Sequence, residues 1–392
     1  MSTVVFYSTP AYGHINPTLP LIKELIKKGE KVVYYSTQVF KNKIVSTGAE
    51  YREYIHLENC DTIAAGKNLA LLYLMIAQAT KEMLPSLLSE IQDIDPDYII
   101  HDALCKWGRH IAVITGKPVI NSITTFAFSS KTRNLQNTLK FIGKAGLRGI
   151  VKMKKAYKIQ EDLQKLYGTI PLHYIDSMMN EEPLNIVFTS REFQPHQEYY
   201  DHRYQFVGPS MEIRADDSDV TDYSSLKRPL IYISMGTIWS EHINLEMMIQ
   251  ALEVFHCTLV FSYKGNTPDL INENIFIKEH VNQLKILQYA DLFITHGGMN
   301  SVNEGLFNHV PLCIYPFQSE QDEVANRVAE LKCGEILKKL DEVEIRKAVR
   351  KILHNSEYTM NCIKISNSLK ESGGYRRAAD IVLNYIKAFE SI

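Results

Sequence analysis

Short β-rich segments alternate with amphipathic segments of helical period along most of the chain, and the alternation occurs twice. Parallel strands need a crossover segment between them, so strands separated by helices pair in parallel and form a sheet covered on both faces. The pattern therefore predicts an α/β chain with two doubly wound parallel sheets. The strand-like segments are VVFYST, KVVYYST, DYIIHD and KPVINS in the first half and LIYISM, CTLVFSY, NIFIKEH, DLFITH and VPLCIYP in the second.

The first strand leads through the turn TPAYGH into the first predicted helix. Asn16 is a good N-cap residue, and Pro17 fits the first turn of a helix, where its missing N–H has no partner to lose. Glu24 and Lys28 form an i,i+4 pair, and Gly29 favours the end of the helix. We therefore expect a helix that begins near Asn16 and ends before Gly29.

A polar, acidic stretch divides the chain, because the alternation stops at FVGPS and restarts at LIYISM. At roughly 100–200 residues per domain, a chain of 392 residues fits two such domains. The predicted division is an N-terminal domain of residues 1–210, a linker of residues 211–229, a C-terminal domain of residues 230–375 and a terminal helix in residues 376–392. Two α/β domains joined in this way are expected to bind ligands in the cleft between them, at the carboxyl ends of the strands.

The composition argues against several functional classes. The chain has 43 lysine and arginine residues against 45 aspartate and glutamate residues, and its net charge of −2 is not typical of a nucleic-acid binder. Its six cysteines form no CxxC pair, which argues against a zinc cluster or a disulfide framework and favours a reducing compartment. The longest apolar run, residues 69–79, is too short for a membrane span, which needs ~20 residues. We expect a soluble cytoplasmic monomer or weak dimer that binds neither nucleic acid nor membrane.

The densest group of polar residues is the segment THGGMNSVNEG, residues 295–305. A strand ends at its start and a helix begins near Asn300, so backbone N–H groups and the positive end of a helix dipole meet there. His296, Gly298, Asn300 and Ser301 are together suited to hold a diphosphate without lysine or arginine. The alternative is a glycine-rich turn in which Asn300 or Ser301 only caps the helix.

Polar side chains at the ends of other predicted strands extend this candidate site. Glu320 and Gln321 follow the strand VPLCIYP, and a carboxylate beside a carboxamide can hold several sugar hydroxyls through paired hydrogen bonds. Thr237 follows the strand LIYISM and can offer a hydroxyl to phosphates, and Gln283 precedes the strand DLFITH. Alternatively, these residues only open or cap helices. No GxGxxG or Walker A stretch occurs in the first half, which argues against a dinucleotide or ATP site.

Taken together, these motifs resemble family 1 (UDP-dependent) glycosyltransferases, and within them the bacterial macrolide and flavonoid glucosyltransferases. The resemblance covers essentially the whole chain: PAYGHINPTLPLIKELIKKG at the start, FVGPS before the linker, SMGT after it, and a nucleotide-sugar signature in residues 283–321. It implies the GT-B fold, with two facing doubly wound Rossmann-like domains, a cleft between them, and a C-terminal helix that packs back on the N-terminal domain. It also implies a UDP-sugar donor, UDP-glucose, held mainly by the second domain.

The donor-binding positions of the family correspond to particular residues of the second half. The diphosphate contacts correspond to Thr237, His296, Gly298, Asn300 and Ser301. The ribose contact corresponds to Glu304, the contacts to the hydroxyls of the donor sugar to Glu320 and Gln321, and the segment against the uracil to Val281 and Gln283. No metal or other cofactor is expected, because the family neutralises the departing UDP with backbone dipoles and the histidine matched by His296.

Four positions depart from the family's pattern. The proline that usually precedes the glutamine is Asn282, and the position where plant members stack a tryptophan on the base is His280. A usual glycine is replaced by His309, and Phe317 stands where bacterial members commonly have glutamine. These departures concern base affinity and donor preference and leave the phosphate-binding and sugar-hydroxyl positions unchanged.

His14, in the first strand-to-helix turn, is the predicted general base. Inverting glycosyl transfer requires a group that takes the proton of the acceptor hydroxyl as its oxygen attacks the anomeric carbon, and an imidazole suits this. Asp102 ends the strand DYIIHD and can hold the far ring nitrogen if the two strands are neighbours. The family's His–Asp dyad matches this pair. Alternatively, Asp102 only caps the next helix, or His101 competes for the role, although strand alternation directs His101 and Asp102 to opposite faces.

The remaining contacts implied by the resemblance lie in the first half. Thr124 and Thr125 match hydroxyl contacts to the donor sugar or phosphate. The acceptor is expected to be a small hydroxylated lipophilic molecule, such as a macrolide, a flavonoid or another polyphenol. Candidate acceptor-wall residues, which at such spacing can equally belong to a core, are Tyr12, Phe40, Tyr73, Met75 and Phe126. The acidic residues Asp216, Asp217 and Asp219 superficially resemble a metal motif but are predicted to form a solvated loop.

Three functions are compatible with these motifs. The first is an inverting UDP-glucosyltransferase. The second is a UDP-sugar 2-epimerase on the same fold, which needs carboxylates around the sugar ring and no histidine in the first turn. The third is a non-catalytic nucleotide-sugar-binding protein, which leaves His14 and Asp102 without a role. The turn PAYGH therefore favours the transferase.

Overall fold

The chain forms two compact units. The computed structural model describes residues 2–55, 68–129, 131, 135–169, 172, 181–212, 219, 221–236, 243–266 and 272–391, without the side chains of residues 135–147. Unit 1 comprises Met1–Ser210 and Ser372–Ile392, and unit 2 comprises Met211–Glu371. The acidic stretch after Ser210 thus belongs to unit 2. Asp216, Asp217 and Thr237, named above, lie outside the described ranges, and so does one of the six cysteines, Cys60.

Unit 1 is built on a seven-stranded parallel sheet with the order β3-β2-β1-β4-β5-β6-β7. Its strands are β1 (Thr3–Tyr7), β2 (Lys31–Ser36), β3 (Glu50–Glu53), β4 (Tyr98–Asp102), β5 (Val119–Ile123), β6 (Leu184–Val187) and β7 (Tyr204–Phe206). The helices that connect them are α1 (Tyr12–Ile15), α2 (Leu19–Lys27), α3 (Lys41–Val45), α4 (Leu69–Ile94), α5 (Lys106–Thr115) and α6 (Leu135–Tyr167).

Unit 2 is built on a six-stranded parallel sheet with the order β10-β9-β8-β11-β12-β13. Its strands are β8 (Leu230–Ser234), β9 (Thr258–Ser262), β10 (Ile275–Lys278), β11 (Leu292–Thr295), β12 (Leu312–Ile314) and β13 (Gly334–Ile336). Its helices are α7 (Leu245–Glu253), α8 (Gln283–Ile286), α9 (Met299–Phe307), α10 (Ser319–Glu330), α11 (Glu342–Leu353) and α12 (Glu357–Glu371). The predicted fold class, two doubly wound parallel sheets, is confirmed.

Each sheet has a point where the strand order reverses. β1 lies between β2 and β4, and β8 lies between β9 and β11. The loops that leave the carboxyl ends of two such strands turn to opposite faces of the sheet, and the crevice between them is where doubly wound sheets bind ligands. His14 follows β1 and Asp102 ends β4, whereas Gly236 follows β8 and His296 follows β11. The topology therefore brings His14 and Asp102 to the switch point of unit 1, and Gly236 and His296 to the switch point of unit 2.

Both faces of the first sheet are covered by apolar side chains, as a parallel sheet requires. Val4 and Phe6 of β1 lie in one core together with Leu21 of α2. Val5 and Tyr7 point to the opposite face and lie in a second core with side chains of α4 and α5. The apolar run of β1 thus reflects burial on both sides of the strand.

The C-terminal helix α13 (Gly374–Glu390) belongs to unit 1. Ala378 and Val382 lie in the same core as the first strand, and the helix packs against α2. The Arg377 guanidinium donates a hydrogen bond to the backbone oxygen of Phe206 at 2.9 Å. The end of the chain is therefore an integral part of the first core.

The start of the first long helix differs from the prediction. Asn16 follows the short helix α1, and α2 begins only at Leu19, after Thr18. The reason is that the turn after β1 forms a separate helical turn, which carries His14. The end of α2 is as predicted: Gly29 has φ +99°, and Lys28 Nζ lies 3.7 Å from Glu24 Oε1.

Two general expectations can be compared with the described residues. No helix within the described ranges is long and apolar enough to cross a membrane. The five described cysteines are buried free thiols, namely Cys105, Cys257, Cys313, Cys333 and Cys362.

Candidate active site

His14 and Asp102 are in direct contact. Because β1 pairs with β4, the turn after β1 and the last residue of β4 meet at one edge of the sheet. His14 Nδ1 lies 2.7 Å from Asp102 Oδ2. The Asp102 side chain is 1% exposed and the His14 side chain 18% exposed. A buried carboxylate on one ring nitrogen fixes the tautomer of the imidazole and stabilises its protonated form.

Two further donors hold the Asp102 carboxylate. Oδ1 accepts hydrogen bonds from Thr9 Oγ1 at 2.7 Å and from the backbone N–H of Leu104 at 3.0 Å. Burial raises the pKa of the Asp102 carboxyl, but His14 and these hydrogen bonds outweigh burial, so its pKa lies below the usual value. Asp102 is therefore ionised at neutral pH. The Leu104 bond belongs to the turn before α5, whose N-cap residue is Cys105, so Asp102 does not cap that helix.

The sequence interpretation missed Thr9. The available signal was its position in the turn after β1, at the same sheet edge as His14. Its contact with Asp102 could not be predicted from this position alone, because the contact depends on the pairing of β1 with β4. Thr124, which follows β5, also reaches the pair, since its Oγ1 lies 3.2 Å from His14 Nδ1. Thr125 is partly exposed.

His101 makes its contacts away from His14. Its Nδ1 lies 2.9 Å from the backbone oxygen of Asp102, and its Nε2 lies 3.5 Å from Glu182 Oε1. The ring is fully buried and packs directly against Gly108 of α5. The structure thus separates the two neighbouring candidates, in the manner that strand alternation predicts.

Only part of the predicted acceptor wall lies at an open surface. Tyr12 is 43% exposed, and its ring meets the edge of the Phe40 ring at a centroid distance of 4.9 Å. Lys43 Nζ lies 5.5 Å from the centroid of the Tyr12 ring. Met75, on α4, is partly buried. Phe40 itself is only 4% exposed and belongs to the first core, so Tyr12 is the exposed ring of this pair.

Tyr73 and Phe126 are core residues. The Tyr73 side chain is buried in the second core of unit 1, and its hydroxyl donates to the backbone oxygen of Leu172 at 2.6 Å. Phe126 is 2% exposed and packs on Phe193 with a centroid distance of 5.4 Å. Both side chains are therefore closed off from solvent. Their spacing reflects a core, which was the alternative interpretation, and not a binding wall.

In unit 2, the His296 ring lies between two glycines. A Cβ atom on Gly236 would come within 2.7 Å of His296 Cε1, and one on Gly298 would come within 2.7 Å of His296 Nε2. Gly236 also has φ +76°, a conformation that favours glycine. Burial lowers the pKa of His296 to about 4, so the ring is neutral at pH 7. His296 can therefore offer a hydrogen bond to a phosphate.

The helix after this turn is not capped by Asn300 or Ser301. Gly298 is the N-cap residue of α9 and has no side chain with which to cap the helix. Asn300 and Ser301 lie in the first turn instead, so the capping alternative does not describe this helix. The N-terminus of a helix is a favourable place for phosphate, because its first N–H groups have no partner within the helix.

A hydrogen-bonded cluster lies beside this helix. Gln283 Nε2 donates to Glu304 Oε2 at 2.6 Å and to Ser301 Oγ at 3.3 Å, and Tyr232 donates its hydroxyl hydrogen to Gln283 Oε1 at 3.3 Å. Glu304 is 6% exposed and Val281 5% exposed. The structure thus brings together the residues that the resemblance assigns to ribose, diphosphate and uracil.

Glu320 and Gln321 open α10 but differ in environment. Gln321 is 6% exposed, and its Oε1 accepts a hydrogen bond from the backbone N–H of Phe317 at 2.8 Å. The amide nitrogen of Gln321 is consequently the end available to a sugar oxygen. Glu320 is exposed in the first turn. Phe317 packs edge-on against Tyr315.

Two departures from the family's pattern have visible consequences. His309 has φ +64°, the left-handed region, which explains physically why glycine is usual at this position. Asn282 caps α8, since its side-chain oxygen accepts a hydrogen bond from the backbone N–H of Lys285 at 2.8 Å. His280 is exposed.

Comparisons with known proteins agree with this geometry. The family model described as UDP-glucoronosyl and UDP-glucosyl transferase matches residues 215–372. The UDP-glucosyltransferase YojK of Bacillus subtilis is 32% identical over 99% of this chain and 98% of its own length. The chain belongs to the UDP-glycosyltransferase family. The glycosyltransferase is also 25% identical to the oleandomycin glycosyltransferase of Streptomyces antibioticus, over 97% of this chain and 90% of that protein.

A solved structure extends the comparison to the fold. The crystal structure of the kitacinnamycin glycosyltransferase superposes with a TM-score of 0.84 and covers 98% of both chains at 24% sequence identity. The glycosyltransferase described here therefore has the GT-B fold, as the sequence motifs implied.

Proposed function

We propose that this glycosyltransferase moves glucose from UDP-glucose to a hydroxyl of a small lipophilic acceptor, with inversion at the anomeric carbon. The observation that carries the proposal is the 2.7 Å contact between His14 Nδ1 and the buried, ionised Asp102. An imidazole oriented by a carboxylate suits proton abstraction from a hydroxyl. An epimerase or a nucleotide-sugar-binding protein does not require this pair.

In the proposed step, His14 Nε2 takes the proton of the acceptor hydroxyl while the acceptor oxygen forms a bond to the anomeric carbon. The bond between that carbon and the β-phosphate oxygen breaks, and its electron pair leaves with UDP. Asp102 stabilises the imidazolium that forms, and Thr9 holds the Asp102 carboxylate in position. The proton then passes to solvent or to the departing UDP.

We assign the donor to the switch point of unit 2. The first turn of α9, with Asn300 and Ser301, would receive the diphosphate, and Glu304 would hold the ribose. Backbone dipoles at the start of α9, together with a hydrogen bond from His296, would balance the leaving group without a metal ion. The amide nitrogen of Gln321 would donate to a hydroxyl oxygen of the sugar.

The acceptor assignment rests on the exposed ring of Tyr12, which follows β1 at the edge that carries His14 and packs on the buried ring of Phe40. Aromatic faces suit flat or macrocyclic lipophilic molecules. The relative named for oleandomycin supports acceptors of the macrolide class. Tyr73 and Phe126 are left out of the proposed wall, since both are closed off in the core.

A UDP-release assay with UDP-glucose and a panel of phenolic and macrolide acceptors tests the proposal. We expect acceptor-dependent release of UDP, a β-glucoside product from the α-linked donor, and no loss of rate with a chelator. Isomerisation of UDP-glucose without an acceptor would contradict the transferase hypothesis and support the epimerase hypothesis. UDP binding without turnover on the whole panel would contradict the proposed acceptor class.

The hydroxyl of Thr9 provides a second test. Thr9→Val removes it at nearly constant shape, and we expect kcat to fall by about 10–100-fold, since a hydrogen bond to a charged group contributes about 1.5–3 kcal/mol. Thr9→Ser keeps the hydroxyl and should retain most of the wild-type kcat, and the UDP dissociation constant should not change in either variant. Steady-state kinetics beside calorimetry measure both quantities. A loss in Thr9→Ser with none in Thr9→Val would instead assign the effect to packing of the methyl group.

A further inference from the structure

Asp219 lies in the stretch predicted to be a solvated loop, but its side chain is only 3% exposed. Its carboxylate accepts hydrogen bonds from the Thr221 hydroxyl at 2.5 Å and from the Tyr223 hydroxyl, and Lys278 Nζ lies 2.9 Å away. It also accepts a hydrogen bond from the backbone N–H of Asn282 at 2.9 Å. A buried carboxylate with this many partners is an anchor within unit 2 rather than part of a flexible linker.

The Asn282 contact connects this anchor to the predicted donor site. Asn282 is the N-cap residue of α8, and Gln283 is the first residue of that helix. The Gln283 side chain in turn donates to Glu304 and Ser301 on α9. Hydrogen bonds therefore connect Asp219 to the start of α8 and, through the Gln283 side chain, the start of α8 to the first turns of α9.

We infer that Asp219 is a positioning residue for the nucleotide: through the backbone N–H of Asn282 it holds Gln283, and thereby Glu304, in the orientation that receives the ribose. The inference rests on the proposed function, in which Glu304 contacts the ribose. Asp219 itself touches no substrate in this assignment. Its effect is pre-organisation, so its loss raises the dissociation constant of the nucleotide and the KM of the donor without a matching loss of kcat.

The anchor depends on the identity of residue 282. A proline, which the family's pattern usually has there, carries no N–H and could not donate to Asp219. Asn282 has φ −67°, a value that the proline ring also adopts. Asn282→Pro therefore removes the donor with little change of backbone conformation, which makes it a sharp test of this contact.

Three variants separate the anchor from the helix cap. Asn282→Pro removes both the N–H and the capping side chain, Asn282→Ala removes only the cap, and Asp219→Asn keeps the size of the side chain but removes its charge. We expect Asp219→Asn and Asn282→Pro to weaken UDP binding about ten-fold in calorimetry, with kcat within about two-fold of wild type. Asn282→Ala should bind UDP nearly as the wild type does.

The comparison of UDP with 2′-deoxy-UDP gives a readout that loss of stability alone would not change. Wild type should prefer UDP, because Glu304 contacts the ribose in the proposed function, and the preference should shrink in Asp219→Asn and Asn282→Pro. An unchanged preference, or equal losses in Asn282→Ala and Asn282→Pro, would overturn the inference. If Asp219→Asn does not fold, the comparison of Asn282→Pro with Asn282→Ala still tests the inference. Wild type that binds no UDP would instead contradict the proposed function.

Discussion

His14→Ala is expected to lower kcat for sugar transfer by a factor of roughly 100 to 10,000, the range that a positioned general base contributes. The reason is that His14 Nδ1 contacts the buried Asp102 carboxylate at 2.7 Å, and alanine has no atom that can take the acceptor's proton. UDP release at saturating donor and acceptor measures the effect. The loss should be smaller for acidic phenols, because their hydroxyls ionise more readily without a base.

Matched measurements make this prediction specific. The affinity for UDP should stay within about two-fold of wild type in His14→Ala, since the proposed donor residues belong to unit 2. Asp102→Asn should cause a loss of similar order, and the double variant should be little worse than the worse single variant, because the two residues act as a unit. Losses that multiply in the double variant, or an unimpaired His14→Ala enzyme, would contradict the assigned base.

Gly298→Ala is expected to weaken UDP binding by at least about ten-fold, or about 1.4 kcal/mol. The added Cβ would lie 2.7 Å from His296 Nε2, closer than real contacts allow, and on the other side the ring approaches Gly236 equally closely. The ring must therefore leave its position at the start of α9, or the backbone must shift. Because Gly298 has φ −60°, alanine adds no backbone strain, and the effect reports the steric contact alone.

Gly13→Ala is the control for this substitution. A Cβ at Gly13 meets nothing within 4 Å, and the residue belongs to unit 1. Calorimetry with UDP should therefore give a dissociation constant close to that of wild type, and thermal unfolding should show whether either alanine changes stability. Wild-type affinity in Gly298→Ala would mean that the position of the His296 ring is irrelevant to the nucleotide.

The candidate site was predictable where its residues end a strand or lie in the turn that follows it. Asp102 ends β4, His296 follows β11 and His14 lies in the turn after β1, and in a parallel sheet all such ends lie on one edge. Thr9 and Gly236 lie at the same edges, yet no sequence motif assigns a role to either residue. Their roles come from contacts with one specific partner, the Asp102 carboxylate and the His296 ring respectively.

Where local pattern and tertiary environment disagreed, the tertiary environment prevailed. Asp219 lies in a polar stretch that predicts a solvated loop, but Lys278 and the backbone of Asn282 surround its carboxylate. The aromatic ring of Tyr73 is compatible with either a binding wall or a core, and its contacts place it in the core. Neither outcome can be deduced from neighbours in sequence, because both depend on residues many positions away.

The amino-acid sequence by itself determined the strand–helix alternation, the parallel sheets that follow from it and the motifs of the family. These features depend on periodicity, turn chemistry and chain order, all of which are local. The tertiary structure alone decided the neutral state of His296, the support of Asp102 by Thr9 and the burial of Asp219. Burial and hydrogen bonding change the free energy of a charged group only through the atoms around it, and folding brings those atoms together from distant parts of the chain.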